Sequence, residues 1–456
     1  MQRPTRADFR AVFDLALPLA TVQVGLMAMG VVDTMMVGRF SAAALAGTAV
    51  ANVWFFAVST IGMGCIAVLD PVISQAHGAS DEEGIARGLQ RGFLLALVLT
   101  VPTILGNAPV EAVMRWTGQP DDVVPLASEY MVGLLPGILP FYGFMVVREA
   151  LQAVGAVRPL LVVIVLANVL NAAVNWLLIF GEGGFPALGV TGAALATTIS
   201  RWAMLAGVVA LGWRHLGPRL WPLRPEIFQW APLARMLGLG LPIGFQILFE
   251  YGVFGGVGLL MGRFGTAAVA GHQIALNLAA LAFMVPFGVG AATSVLVGRA
   301  VGAERPDEAR RRAAAGLIIG GGFMVFTATA FLAVPRLLAA AYTPDLAVAA
   351  LAAALIPLAG AFQVFDGIQA VALGALRGVG DTRVPVLINL TGYYLIGLPI
   401  GLWLGFGQDW GPRGLWWGLV AGLMAVATVL VGRVRLRLGR DLARLRIDHP
   451  PPASEG

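Results

Sequence analysis

Lysine is absent. All thirty basic residues in this 456-residue chain are arginine. A GxxxxGK[ST] phosphate loop needs its lysine, so the chain is not its own P-loop ATPase. A lysine Schiff base is excluded as well. There is one cysteine, Cys65, inside an apolar run. That rules out a disulfide framework and a CxxC motif, and Cys65 reads as a small buried hydrophobe. The four histidines, His77, His215, His272 and His449, are scattered with no HExxH, and no GxSxG elbow occurs. Charged residues make up only 12% of the chain, about half the share in soluble domains.

Hydrophobic residues supply 58% of the chain, and the mean hydropathy is +0.82. Apolar runs of 18 residues or more recur from end to end, each long enough to cross a bilayer as a helix. They lack the period-2 alternation of barrel strands. Charged and Pro/Gly-rich breaks predict twelve spans, near 11–36, 46–70, 90–110, 124–147, 159–180, 189–212, 237–261, 270–297, 313–335, 346–373, 384–406 and 413–434. Arg3, Arg6 and Arg10 precede the first run. That run is too long for a signal-peptide core, so it reads as a retained span.

The arginines sort by side. The N-terminus, the loops after even-numbered spans and the tail hold 24 of them. The loops after odd-numbered spans hold five, and Arg201 falls within a span. The positive-inside rule then places both termini in the cytoplasm. The chain also repeats itself. "LALP" at Leu15–Pro18 returns as "LGLP" at Leu239–Pro242, and "VGRFSAAALAG" at Val37–Gly47 returns as "MGRFGTAAVAG" at Met261–Gly271. "HGASDEEGIARG" at His77–Gly88 returns as "VGAERPDEARRR" at Val301–Arg312. All three pairs share an offset of 224 residues, which drifts to 226 by Pro159 and Pro385. The expected fold is therefore an all-α polytopic membrane protein. Its twelve transmembrane helices form two six-helix bundles, residues 1–222 and 223–436, related by a pseudo-two-fold axis along the membrane normal. A central cleft lies between them, and a basic, then disordered, tail covers 437–456. Paired bundles of this kind suit alternating access.

Ionisable residues inside spans are the strongest functional signal, because a charge at the bilayer centre costs roughly 2.5–3.5 kcal/mol on insertion scales. Three stand out: Asp33 in span 1, Glu250 in span 7 and Asp366 in span 10. The repeat puts Val257 opposite Asp33 and Leu26 opposite Glu250, so the shared scaffold does not demand these carboxylates. The bland alternative is a structural pair with a buried arginine. Only Arg201 lies mid-span, and one arginine cannot neutralise three carboxylates. Asn168, Asn171 and Asn175 share one face of span 5. Their amides suit a cation site with Asp33, or plain interhelical hydrogen bonding. Gln246 lies one turn before Glu250, and Gln363 and Gln369 flank Asp366, as supports for those acids or as packing. Asp70 reads as an interfacial cap or gate, and Asp14 as structural. Met27, Met29, Met35 and Met36 offer a soft surface for varied apolar ligands or ordinary packing. Pro18 and Pro242 occupy matching early positions in the two lead spans, where proline can kink a helix. The arginine-rich tail suits anionic lipid head groups better than nucleic acid.

These features resemble the multidrug and toxic compound extrusion (MATE) family. The residues that carry the resemblance are "LALP" before "VVDTMMVGRFSAAALAG" and "ALRGVGDTRVP" after span 10, and it extends from about Phe13 to Arg433. Acids in both span 7 and span 10 resemble its NorM-like branch. The resemblance implies an antiporter, not an enzyme, that exports organic cations or amphipathic drugs. Protons or sodium ions would enter in exchange, with no other cofactor. It implies a multi-pass protein of the bacterial cytoplasmic membrane that works as a monomer. Asp33 then matches the family's span-1 coupling aspartate, and Glu250 and Asp366 match its C-terminal carboxylates. Asn171 and Asn175 match the amide and acid positions beside Asp33; if sodium is the coupling ion, the resemblance places it at Asp33 with these two or at Glu250 with Asp366. Asn175 leaves the first site one charge poorer than in members with aspartate there. Phe362 stands where some sodium-linked members carry a tyrosine. Both departures favour protons. The alternative is a lipid-linked oligosaccharide flippase of the same wider superfamily.

Overall fold

The computed structural model describes residues 3–448. Among the described residues, twelve helices are long and apolar enough to cross a membrane. They are α1 (Arg6–Phe40), α2 (Ala42–Gly78), α3 (Glu82–Trp116), α4 (Val124–Ala153), α5 (Arg158–Phe180) and α6 (Gly189–Leu220), then α7 (Trp230–Phe264), α8 (Thr266–Gly302), α9 (Pro306–Ala333), α10 (Leu346–Gly378), α11 (Arg383–Gly407) and α12 (Pro412–Gly439). No strand occurs among the described residues. The helices run past the apolar runs at their ends, because capped polar turns extend them. Ser41 accepts a hydrogen bond from the Ala44 amide at 3.0 Å to start α2. Asp81 does the same for α3 through the Gly84 amide at 2.7 Å. Each satisfies a backbone donor that the first helical turn leaves free. Pro18 and Pro242 both lie inside continuous helices.

Large apolar side chains point outward. Leu97, Val98, Val101 and Leu105 on α3 are each more than half exposed, and their spacing of three to four places them on one face. Such a stripe is unstable against water and natural against lipid.

Contacts divide the chain into two compact units. Among the described residues, the C-unit joins 3–23 to Phe245–Leu445, and the N-unit joins Val24–Gly244 to 446–448. The sequence places the division at residue 222; the contacts instead cut through α1 and α7. Glycine contacts explain why. In the N-unit, a Cβ added to Gly64 of α2 would sit 2.0 Å from the Gly244 nitrogen of α7. In the C-unit, a Cβ on Gly288 of α8 would sit 2.5 Å from the Ala20 nitrogen of α1. The pairs Gly64–Gly244 and Gly288–Ala20 are equivalent under the 224-residue offset. Each lead helix thus starts against the second helix of the opposite repeat, at positions where only small residues let backbones approach.

The tail is less free than its composition suggests. Its basic start remains helical to Gly439. Leu445 packs where a Cβ on Gly380 would meet it. The Asp448 carboxylate accepts from Arg87 Nε at 2.9 Å and Arg91 Nη1 at 2.5 Å. Arg91 is 2% exposed. The rest of the expected disordered end, 449–456 with His449, lies outside the described residues. Burial pushes the Asp448 carboxyl up, but the hydrogen bond and charge of Arg91, with Arg87, outweigh it and hold the group below its ordinary value. A depressed acid contributes stability that is present above the unfolded-state value and lost as pH falls through the folded one. The contact should therefore survive at pH 5 and release only below about pH 4. Asp448→Ala takes a carboxylate from a buried arginine and is expected to cost about 1–3 kcal/mol, read as a lower melting temperature in detergent.

Candidate functional site

In the N-unit the site is built on α1, α5 and α6. Asp33 is partly buried on α1. Asn175 Nδ2 donates to its Oδ1 at 2.5 Å, and Thr197 Oγ1 donates to its Oδ2 at 3.2 Å. Asn171, one turn before Asn175, is fully buried next to the carboxylate and makes no hydrogen bond of normal geometry. The spacing of four on α5 aims both amides at α1. Asn168 does not join them. Its Nδ2 donates to the Gly25 carbonyl at 3.0 Å and the Ile164 carbonyl at 2.8 Å, so it ties α5 to α1 through backbone. Tyr130 of α4 is buried, receives a hydrogen bond from Asn52 Nδ2 at 3.3 Å, and lies within electrostatic reach of Asp33.

In the C-unit the site is built on α7, α10 and α11. Gln369 Nε2 donates to Glu250 Oε1 at 3.1 Å. The Tyr393 hydroxyl lies 3.4 Å from the same oxygen and 3.0 Å from Gln369 Oε1. Tyr393 sits in a π-helical stretch, Thr391–Gly397; extra residues in a turn of this kind re-aim side chains and favour functional sites. Its neighbour Tyr394 donates to the Phe249 carbonyl at 2.9 Å, which fixes α11 on α7 beside Glu250. Asp366 is 7% exposed, one turn before Gln369, and interacts electrostatically with Glu250 and Tyr393.

The neighbouring polar residues divide. Gln369 bonds Glu250. Gln363 is fully buried with neither amide atom hydrogen-bonded, and Gln246 is buried one turn from Glu250. Phe362 belongs to the aromatic core: its ring meets Phe254 at 5.6 Å and Trp416 at 5.9 Å, both edge-on. Asp70 is buried in the first turn of the helical segment Leu69–Gly78. Asp14 pairs with Arg10 on an exposed face at 3.5 Å. Met29 is buried while Met35 is exposed, so the four methionines do not form one surface. Among the described residues no group of three His, Cys, Asp or Glu is placed to hold a metal ion.

The two sites use corresponding helices differently. α1 and α5 in one repeat match α7 and α11 in the other. Glu250 falls seven residues before the match of Asp33, and Tyr393 falls eight before the match of Asn175. Both groups of the C-unit site are thus displaced about 11 Å toward the helix starts. The same helix pair carries an acid and its hydrogen-bond partner at two different levels.

The MatE family model matches residues 18–177 and again 242–403, two stretches offset by the same 224–226 residues. The chain belongs to the MatE family. A probable multidrug resistance protein NorM of Rhodopseudomonas palustris is 39% identical to this MatE chain over 94% of it and 91% of the relative. A multidrug resistance protein NorM of Burkholderia vietnamiensis is 35% identical over 95% of each. The eukaryotic MATE transporter AtDTX14 superposes with a TM-score of 0.85 over 95% of this chain and 99% of that one, at 22% identity. The two NorM relatives are named as multidrug resistance proteins and AtDTX14 as a transporter; none of these names is that of an enzyme.

Sequence reasoning missed Thr197, Tyr130 and Tyr393. A faint signal existed for each: Thr197 lies four residues before the mid-span Arg201, and Tyr130 and Tyr393 are two of only six tyrosines.

Proposed function

We propose that this protein is a multidrug efflux antiporter of the bacterial cytoplasmic membrane with both termini cytoplasmic. It exports cationic or amphipathic organic compounds in exchange for inward protons or sodium ions by alternating access. The observation that carries this reading is the pair Glu250 and Asp366. Two carboxylates on membrane-spanning helices interact with each other, Gln369 one turn after Asp366 reaches Glu250, and among the described residues no basic group is one of their electrostatic partners. Such a pair is costly unless a cation or proton joins it. When the pair is open to the outside, a proton or sodium ion neutralises it. When it is open to the cytoplasm, a drug cation takes the place of that ion. Because one charge serves both cations in turn, binding of one releases the other, and that competition is antiport. Asp33, with Asn171, Asn175 and Thr197, is the corresponding group of the N-unit. A flippase for pyrophosphate-linked lipids would need the opposite charge at these places. Cells that make the protein should accumulate less ethidium than vector controls and tolerate more of it; equal accumulation and equal tolerance would contradict the proposal.

A further inference from the structure

One buried cation takes no part in the scheme above. Arg201 follows Thr197 by four residues on α6, so it shares the helix face that presents Thr197 to Asp33. Its guanidinium lies 4.6 Å from the centre of the Phe55 ring and 5.0 Å from that of Phe141. Nη1 is buried without a hydrogen-bond partner. No carboxylate among the described residues lies within ion-pair distance of it, yet it interacts electrostatically with Asp33 and with the phenols Tyr130 and Tyr142. Two aromatic faces therefore hold a full positive charge inside the membrane-spanning part of the N-unit. Among the described residues, Asp33 is the one carboxylate that interacts with it electrostatically, and Thr197, one turn before Arg201, donates to that carboxylate.

We propose that Arg201 is the resident counter-cation of Asp33, so that the N-unit site carries no net charge and excludes sodium. The reading rests on Asp33 being the exchangeable acid of the N-unit, and narrows its coupling ion to the proton. The two sites then differ in kind. In the C-unit, Glu250 and Asp366 are two acids with no base, a site that draws in a cation. In the N-unit, one acid and one base already balance, and Asn175 supplies an amide in place of further negative charge. A sodium ion beside Asp33 would leave a net positive site in a low-dielectric interior, where Arg201 is already held against the neighbouring Phe55 and Phe141 rings.

The test reads sodium binding without using transport. In a Glu250→Gln/Asp366→Asn background, Asp33 is the one acid of the three left. That protein should melt in detergent at the same temperature in sodium chloride as in choline chloride. Adding Arg201→Gln should make sodium raise the melting temperature by about 2 °C or more, and further adding Asp33→Asn should remove that response. Arg201→Lys keeps the charge and should show none. A sodium response with Arg201 intact that Asp33→Asn removes, or no response once Arg201 is glutamine, would overturn the proposal. If Arg201→Gln does not accumulate as folded protein, a second comparison decides. Asp33→Asn leaves Arg201 uncompensated, so Asp33→Asn/Arg201→Gln should melt higher than Asp33→Asn alone; a double variant no more stable contradicts the proposal. A wild type that moves no drug would end the antiport reading and leave these melting comparisons to stand by themselves.

Discussion

Asp366→Asn and Asp33→Asn are each expected to bring drug efflux down to the level of cells without the transporter, with folded protein still in the membrane. The substitutions change almost no volume, so packing survives. On the proposed mechanism, what they remove is the capacity to alternate between a charged and a neutralised state. Asp366 is 7% exposed and shares its surroundings with Glu250. An amide there leaves Glu250 as a lone acid, and the site can no longer trade a drug cation against a coupling cation at the same pair. At Asp33 the amide oxygen can still accept from Asn175 Nδ2 or from Thr197 Oγ1, the donors that hold the carboxylate now. The local geometry therefore persists while the charge is gone, at the cost of a lower melting temperature from the unanswered Arg201. Ethidium accumulation in cells, normalised to membrane abundance, checks both. Wild-type efflux by the two variants would remove these residues from the mechanism.

The second large effect is on folding. Gly64→Ala and Gly288→Ala are each expected to cost more than about 3 kcal/mol and to leave little monodisperse protein after detergent extraction. A Cβ at these positions would sit 2.0 Å and 2.5 Å from backbone nitrogens. Backbone cannot rotate away as a side chain can, so two helices must separate along their contact. The two glycines are repeat equivalents, and similar losses at both would confirm that each lead helix is anchored by the second helix of the opposite repeat. Gly255 on α7 is the control, since nothing lies within 4 Å of a Cβ placed there. Gly255→Ala should extract normally and gain slightly from helix propensity. Size-exclusion profiles of the three variants decide the matter.

The parts of this molecule that were legible in the sequence follow from chemistry that lipid enforces. Twelve apolar runs could only be helices, because a backbone in hydrocarbon must satisfy its own hydrogen bonds. The repeat was readable because short motifs such as "VGRFSAAALAG" and "MGRFGTAAVAG" kept their spacing. Asp33, Glu250 and Asp366 announced themselves as charges in apolar surroundings, and Asn171, Asn175 and Gln369 followed by helical spacing. The remainder depended on which helices meet. Asn168 shares a face with Asn171 and Asn175, yet bonds the Gly25 backbone because α1 approaches closely there. Gln363 and Gln369 flank Asp366 symmetrically, and only Gln369 reaches Glu250. Tyr393 reaches its place through a π-helical stretch that an ideal 3.6-residue period does not foresee. The division of the units within α1 and α7 was also hidden, because it rests on close glycine contacts between segments roughly 180 or more residues apart.

In the proposed mechanism, buried carboxylates exchange a coupling cation for a drug cation. The most direct test is movement of ethidium in proteoliposomes of the purified protein, with a pH gradient and a sodium gradient imposed separately. Dye should move under at least one gradient, and that movement should be lost in both Asp33→Asn and Asp366→Asn. Movement with the pH gradient alone would assign the acids to a proton cycle; movement with the sodium gradient alone would assign the ion to Glu250 and Asp366. Dye that moves under neither gradient, in vesicles shown to hold folded protein, would contradict that mechanism.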